Sequence, residues 1–114
     1  MLMDKVLERL GRLARDLDVP LLVVVIPSPF DACEDYASTR ASTDAYPTYR
    51  RRALVDPIVA SLRRYEIDHI DLFDAFRAHP AEGLYFNLPD QHWNEAGQRL
   101  AARLVAERIA SAQP

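Results

Sequence analysis

Asp90 and His92 stand with a single residue between them in "FNLPDQHWNEAGQRL", and Trp93 and Asn94 follow at once. In a non-helical turn this spacing lets the carboxylate and the imidazole reach one another, or lets both face one cleft. A carboxylate that accepts from imidazole Nδ1–H fixes the tautomer and raises the basicity of the other nitrogen. That nitrogen can then take a proton from a serine hydroxyl. Trp93 would wall such a site against water, and Asn94 is placed to cap the helix that begins here. Gly97 leaves room for the first helical turn to approach another element closely. A D-x-H string also arises by chance, so the chemistry depends on what holds it.

Other residues with chemical potential are fewer. Ser28, in "PSP" right after an apolar run, is the local candidate for a nucleophile or a substrate contact, and a plain loop serine is the alternative. It lacks the adjoining glycine of a nucleophile turn. Tyr85 and Phe86 are candidates to line an acyl or sugar pocket, or to pack under the last loop. His69 is expected to be partly buried and hydrogen-bonded, His79 to lie in a surface loop, and Asp71 and Asp74 to cap a turn. A metal site built on Asp90 and His92 would need a third ligand such as His69 or Asp71, and no ligand spacing supports one. No metal and no cofactor is therefore expected. Cys33 is the only cysteine; it sits among carboxylates in "DACED", which disfavours a thiolate.

The elements that must position these residues alternate. Met3, Val6, Leu7, Leu10, Leu13, Ala14 and Leu17 recur at helical steps, and Pro20 ends the pattern. Leu21–Ile26 is apolar without alternation and reads as a strand covered on both faces, as in a parallel sheet. A long polar stretch from Pro27 to Pro47 follows, with Ser28–Tyr46 a candidate lid. A second helix carries Leu54, Ile58, Val59 and Leu62 on one side. Asp56-Pro57 suits its cap and first position, or a kink in a longer helix starting near Pro47. "IDHIDLF" is a short strand showing Ile70 and Leu72 on one face. The last helix follows Asn94, with Leu100, Ala101, Leu104, Val105 and Ile109 as its buried stripe. Helix, strand, helix, strand, helix is an α/β order with a right-handed crossover, and two strands are few for a parallel sheet.

Composition narrows the class of function. The 114 residues form one domain at most, 49% of them are hydrophobic, and the net charge is −3. Charges of both signs are interspersed, and the one dense basic run, "YRRRALV", reads as a solvated helix face, so no nucleic-acid partner is expected. No apolar run is long enough to span a bilayer, and "MLMDKVLERL" has the periodicity of a helix instead of a signal peptide. Compartment stays open.

The string "DQHWNEAGQRLAARLVAERI" resembles the C-terminal block of the SGNH (GDSL-like) hydrolases and of the related alginate-type O-acetyltransferases. "VPLLVVVIPSP" is similar to their late core strand with its proline-containing loop, and "IDHIDLFDAF" to the next strand and its trailing acid. The resemblance implies a partial three-layer, flavodoxin-like parallel sheet with flanking helices. It implies a serine esterase or acyl transferase chemistry on a small-molecule or carbohydrate ester, with Asp90 as orienter and His92 as general base. The D-x-H-W spacing is closer to the acyltransferase-like and carbohydrate-esterase branches than to simple lipase-like members, which more often show D-x-x-H. The Gly-Asp-Ser nucleophile turn of those families is absent from the sequence, and Gly11, Gly83 and Gly97 do not match their oxyanion blocks. Residues 1–114 are thus expected to correspond to the C-terminal half of the fold. The serine would come from a missing N-terminal half or from another subunit. The alternative is a catalytically inactive SGNH-like binding or assembly module, with a homodimer covering the open sheet edge.

Overall fold

A computed structural model of the chain describes residues 2–33, 45–86 and 90–112. In chain order the elements are α1 (Leu2–Asp16), β1 (Leu22–Val25), α2 (Pro29–Ala32), α3 (Val55–Arg64), β2 (Asp68–Asp71), α4 (Phe73–Arg77), α5 (Ala81–Leu84) and α6 (Glu95–Ser111). Helices around a small two-stranded parallel sheet make this an α/β fold. The described residues gather into two compact units, Met1–Val25 with Arg52–Asp71, and Ile26–Arg51 with Leu72–Pro114.

In the first unit β1 and β2 pair in parallel, with Leu22 opposite Asp68 and Val25 opposite Asp71. Strand alternation puts Leu21, Val23 and Val25 on one face. That face joins Leu7 of α1, Val55, Val59 and Leu62 of α3, and Ile67 in one apolar cluster. Leu22 and Val24 point to the opposite face and stay half-buried, so β1 is not sealed on both sides as its unbroken apolar run predicts. The run itself reflects β-branched preference for the pleated sheet as much as burial.

α1 departs from its one-faced reading in a related way. Only Leu7 and Gly11 are buried, and Met3, Val6, Leu10, Leu13 and Leu17 are exposed. Gly11 is at the contact with Ile67, where an added Cβ would sit 3.1 Å from the isoleucine side chain. Both α1 and α3 end on a left-handed residue, Asp18 (φ 52°) and Glu66 (φ 56°). In each case the next amide bonds back five residues, Val19 to the Ala14 carbonyl and Ile67 to the Leu62 carbonyl. This closing turn usually takes glycine, and here acidic residues hold it.

The start of α3 corrects the Asp56-Pro57 expectation. The cap position is Leu54, with no side-chain bond, and Asp56 and Pro57 lie inside the first turn. Proline is tolerated there because first-turn amides lack intrahelical acceptors. Asp56 instead accepts from Arg52 Nε at 2.7 Å, and the same guanidinium donates to Asp71 at 2.5 Å. Asp71 thus ties the chain entering α3 to the end of β2. The two carboxylates hold the Arg52 guanidinium above its ordinary pKa, the Asp71 hydrogen bond contributing most.

The second unit buries Phe76 fully, and Phe73, Leu84, Tyr85, Leu100 and Ala101 are buried in the same unit. The Tyr85 ring meets Phe76 edge-on at 5.7 Å, and the Trp93 indole lies 6.3 Å away on a tilted plane. α2 packs on α4, and α5 on α6. Along α6 the predicted stripe is buried at Leu100 and Ala101, half-buried at Leu104 and Val105, and open at Ile109. Among the described residues no helix is long and apolar enough to cross a membrane.

Candidate active site

The chain entering α6 is fastened by its own backbone before any side chain acts. The segment Leu84–Phe86 and the segment His92–Asn94 run antiparallel, with Tyr85 bridged to Trp93. Phe86 N–H donates to the His92 carbonyl at 2.9 Å, and Asn94 N–H to the Leu84 carbonyl at 2.8 Å. The Asn94 side chain then accepts from Gly97 N–H at 3.1 Å as the α6 cap. Gly97 is buried, and a Cβ there would fall 2.5 Å from the Leu84 carbonyl oxygen. Both expected roles, Asn94 as cap and Gly97 as point of close approach, are what the structure shows.

On this frame Asp90 and His92 face each other. Asp90 Oδ1 accepts from the His92 backbone N–H at 3.0 Å and from ring Nδ1 at 2.6 Å. The first contact closes a small Asx turn that pins the carboxylate to its own loop. The His92 backbone amide, followed by its ring, holds the Asp90 carboxyl below the ordinary carboxylate range. With Nδ1–H donating, Nε2 carries the lone pair. The His92 side chain is 87% exposed, so that lone pair is open to an incoming hydroxyl. Chemically, an arrangement of this kind can hold one ring tautomer and offer the other nitrogen as a base.

The remaining predicted residues take more structural positions. Ser28 is exposed and caps α2, its Oγ accepting from Asp31 N–H at 3.3 Å. Among the described residues no hydrogen bond joins Ser28 to His92. Tyr85 is buried, and its hydroxyl donates to the Pro27 carbonyl at 2.8 Å, one residue before Ser28. Burial raises the Tyr85 phenol above its ordinary pKa, which keeps it a neutral donor. Trp93 is half-buried, and Phe86 is exposed. Asp31, buried three residues after Ser28, accepts from the Tyr49 hydroxyl at 2.6 Å. Burial and the Asp31 carboxylate together push the Tyr49 phenol up to about 12. Of the proposed lid Ser28–Tyr46, residues 34–44 lie outside the described residues.

His69 is half-buried with Nδ1 at 3.0 Å from the Ile67 carbonyl, and exposed His79 bonds the Ala75 carbonyl at 2.9 Å. Cys33 is buried. No group of three His, Cys, Asp or Glu side chains able to hold a metal occurs among the described residues. Residue reading missed the clasp between Leu84–Phe86 and His92–Asn94 and the Tyr85–Pro27 bond. Only the apolar-aromatic string "LYF", matched against "HWN", hinted at such a pairing.

A parallel-stranded α/β fold whose final helix is opened by a D-x-H-W-N-x-x-G loop defines an SGNH-like class of protein. The family model of the SGNH hydrolase-like domain of the acetyltransferase AlgX matches residues 3–114. The chain belongs to that family. No curated protein and no solved structure matches it.

Proposed function

We propose that this chain supplies the base half of an acyl-transfer site acting on ester bonds, with Asp90 orienting His92. The observation that carries the reading is the 2.6 Å contact between Asp90 Oδ1 and His92 Nδ1 on an exposed loop clasped by backbone hydrogen bonds. In the reaction, Nε2 takes the proton of a serine hydroxyl as its oxygen adds to the acyl carbon. The imidazolium, stabilised by the Asp90 carboxylate, then hands that proton to the departing alcohol. Water or a second alcohol, such as a sugar hydroxyl, takes the acyl group in the reverse sequence. The family's acetyltransferase name favours an acetyl group and an alcohol acceptor. Trp93, held by Phe76, would wall one side of the acyl pocket, and Tyr85 would steady the Pro27–Ser28 turn through its bond to the Pro27 carbonyl.

The nucleophile is the part this reading assigns elsewhere. Ser28 is committed to capping α2, and no Gly-Asp-Ser occurs in the sequence, so the serine is contributed from outside these residues. The same two facts favour a second reading, an inactive SGNH-like module. Hydrolysis of p-nitrophenyl acetate and acetyl transfer to a sugar acceptor, with fluorophosphonate labelling mapped by mass spectrometry, separate them. His92→Ala should abolish turnover wherever wild type shows it, and label should appear on a serine of an added SGNH N-terminal segment. Turnover surviving in His92→Ala removes the assignment. Label on Ser28 would make the chain self-contained, and no turnover in any assembly would leave the module.

A further inference from the structure

We infer that α1 is a self-association surface through which two copies of this chain pair antiparallel. Met3, Val6, Leu10, Leu13 and Leu17 are separated by alternating steps of three and four residues. That is the spacing of a helix–helix seam. All five are between 38% and 61% exposed. The opposite situation holds for Leu7 and Gly11 on the adjoining face, which are buried in the unit's own core. α1 thus carries two apolar faces, and its own fold uses one.

The charges beside the seam select the occupant. Arg12 bonds Glu8 on its own helix, and Arg15 donates to the Tyr65 carbonyl at 3.1 Å, so both are committed within the unit. Arg9 and Asp16 make no ion pair among the described residues, and both border the exposed seam, lining one surface groove with Val6, Leu10, Leu13 and the Glu8-paired Arg12. In an antiparallel pair, Leu10 of one copy lies against Leu13 of the second copy, and Val6 against Leu17. Positions bordering the seam on the solvent side then meet their own kind. Arg9 of each copy faces Asp16 of the other, giving two symmetry-related ion pairs. A parallel pair would place Arg9 beside Ala14 and lose both. A two-fold arrangement of this kind closes on itself.

Sedimentation equilibrium of the 114-residue protein tests this. Wild type should dimerise reversibly. Leu13→Asp, at an exposed position, should weaken the dimer more than about a hundredfold with unchanged circular dichroism, since each dimer contains it twice. Arg9→Asp should weaken it about tenfold by setting two like-charge pairs against each other. Arg9→Asp combined with Asp16→Arg should restore wild-type affinity. A wild-type protein that stays monomeric at every concentration overturns the inference. So does a dimer indifferent to Leu13→Asp, which would use another surface such as the sheet edge, or a charge swap whose losses add. A monomer that binds phosphatidylcholine vesicles assigns the seam to lipid. A longer polypeptide in which preceding residues protect α1 from hydrogen exchange assigns it to that segment. Either result also overturns the proposal.

Discussion

Asp90 Oδ1 accepts two hydrogen bonds from one residue, and the order of their effects makes a prediction. The His92 backbone amide is the larger influence on the Asp90 carboxyl and the ring the smaller. The folded pKa is depressed, so the charged, hydrogen-bonded form persists as pH falls through the ordinary carboxylate range, and the contact is lost only below it. A carbon-detected titration should find the Asp90 midpoint below the usual value, and His92→Ala should return only part of the shift because its amide remains. Asp90→Asn is the sharper change. An amide can present N–H to the ring, forcing Nδ1 to accept and Nε2 to carry the proton, which disables the base. Nitrogen NMR should then show the Nε2–H tautomer gaining population, and acyl turnover should fall on the order of 10³–10⁴-fold. An unchanged tautomer would separate Asp90 from the ring. The Asp90–His92 contact and the Asn94 cap were legible in the sequence because each joins residues within a few positions of one another. Arg52 with Asp71, and Tyr85 with Pro27, were not, since chain distance hides both pairings.

At the scale of elements, two close approaches decide how α6 and α1 sit on their own units. Gly97→Ala removes a residue that costs a helix about 1 kcal/mol relative to alanine. Against that gain, the new Cβ would lie 2.5 Å from the Leu84 carbonyl oxygen, a backbone atom that also accepts from Asn94 N–H. Forcing backbone apart costs roughly 1–3 kcal/mol, so the clash wins and thermal melting should show a net loss of stability. For α1 the anchor is Asp4, which accepts from the Ser61 hydroxyl at 2.6 Å and the Tyr65 hydroxyl at 2.9 Å, with Arg64 at 3.3 Å. These contacts, Ser61 first, lower the Asp4 pKa in the folded protein. A depressed folded pKa contributes stability that is present above the unfolded value and is lost as pH falls through the folded one. Asp4→Asn should therefore lower the melting temperature near neutrality, and its gap from wild type should close below about pH 4. A gap independent of pH would mean that Asp4 acts by shape alone. Helix periodicity showed that α1 and α6 exist and roughly where they run. It could not show which part of a broad apolar stripe the fold would use, because that depends on the partner surface available.

Over the whole chain, two separate cores stand behind a sequence that reads as one run of alternating elements. The cluster around Leu62 contains residues of Met1–Val25 and Arg52–Asp71 only, and the aromatic group of Phe76, Tyr85 and Trp93 belongs to the other unit. The sequence showed α1, β1, α3, β2 and α6, and not the short helices α2, α4 and α5, two of which carry Phe73, Phe76 and Leu84. It did not show the division, because each unit is assembled from two distant segments and no linker composition marks the crossings. Trp93 is the only tryptophan, which turns the division into a measurement. Phe76→Ala and Leu62→Ala both empty fully buried sites and should cost about 3–5 and 2–5 kcal/mol respectively. That is a large part of the 5–15 kcal/mol typical of a domain, so both should lower the urea midpoint substantially. Their native spectra should differ. Removing the Phe76 ring opens the side of the indole it covers, so folded Phe76→Ala should emit to the red of wild type. Leu62→Ala, whose cluster holds no aromatic of the second unit, should leave folded Trp93 emission where it was. A matching red shift in Leu62→Ala would show that the emission does not report the loss of the Phe76 ring.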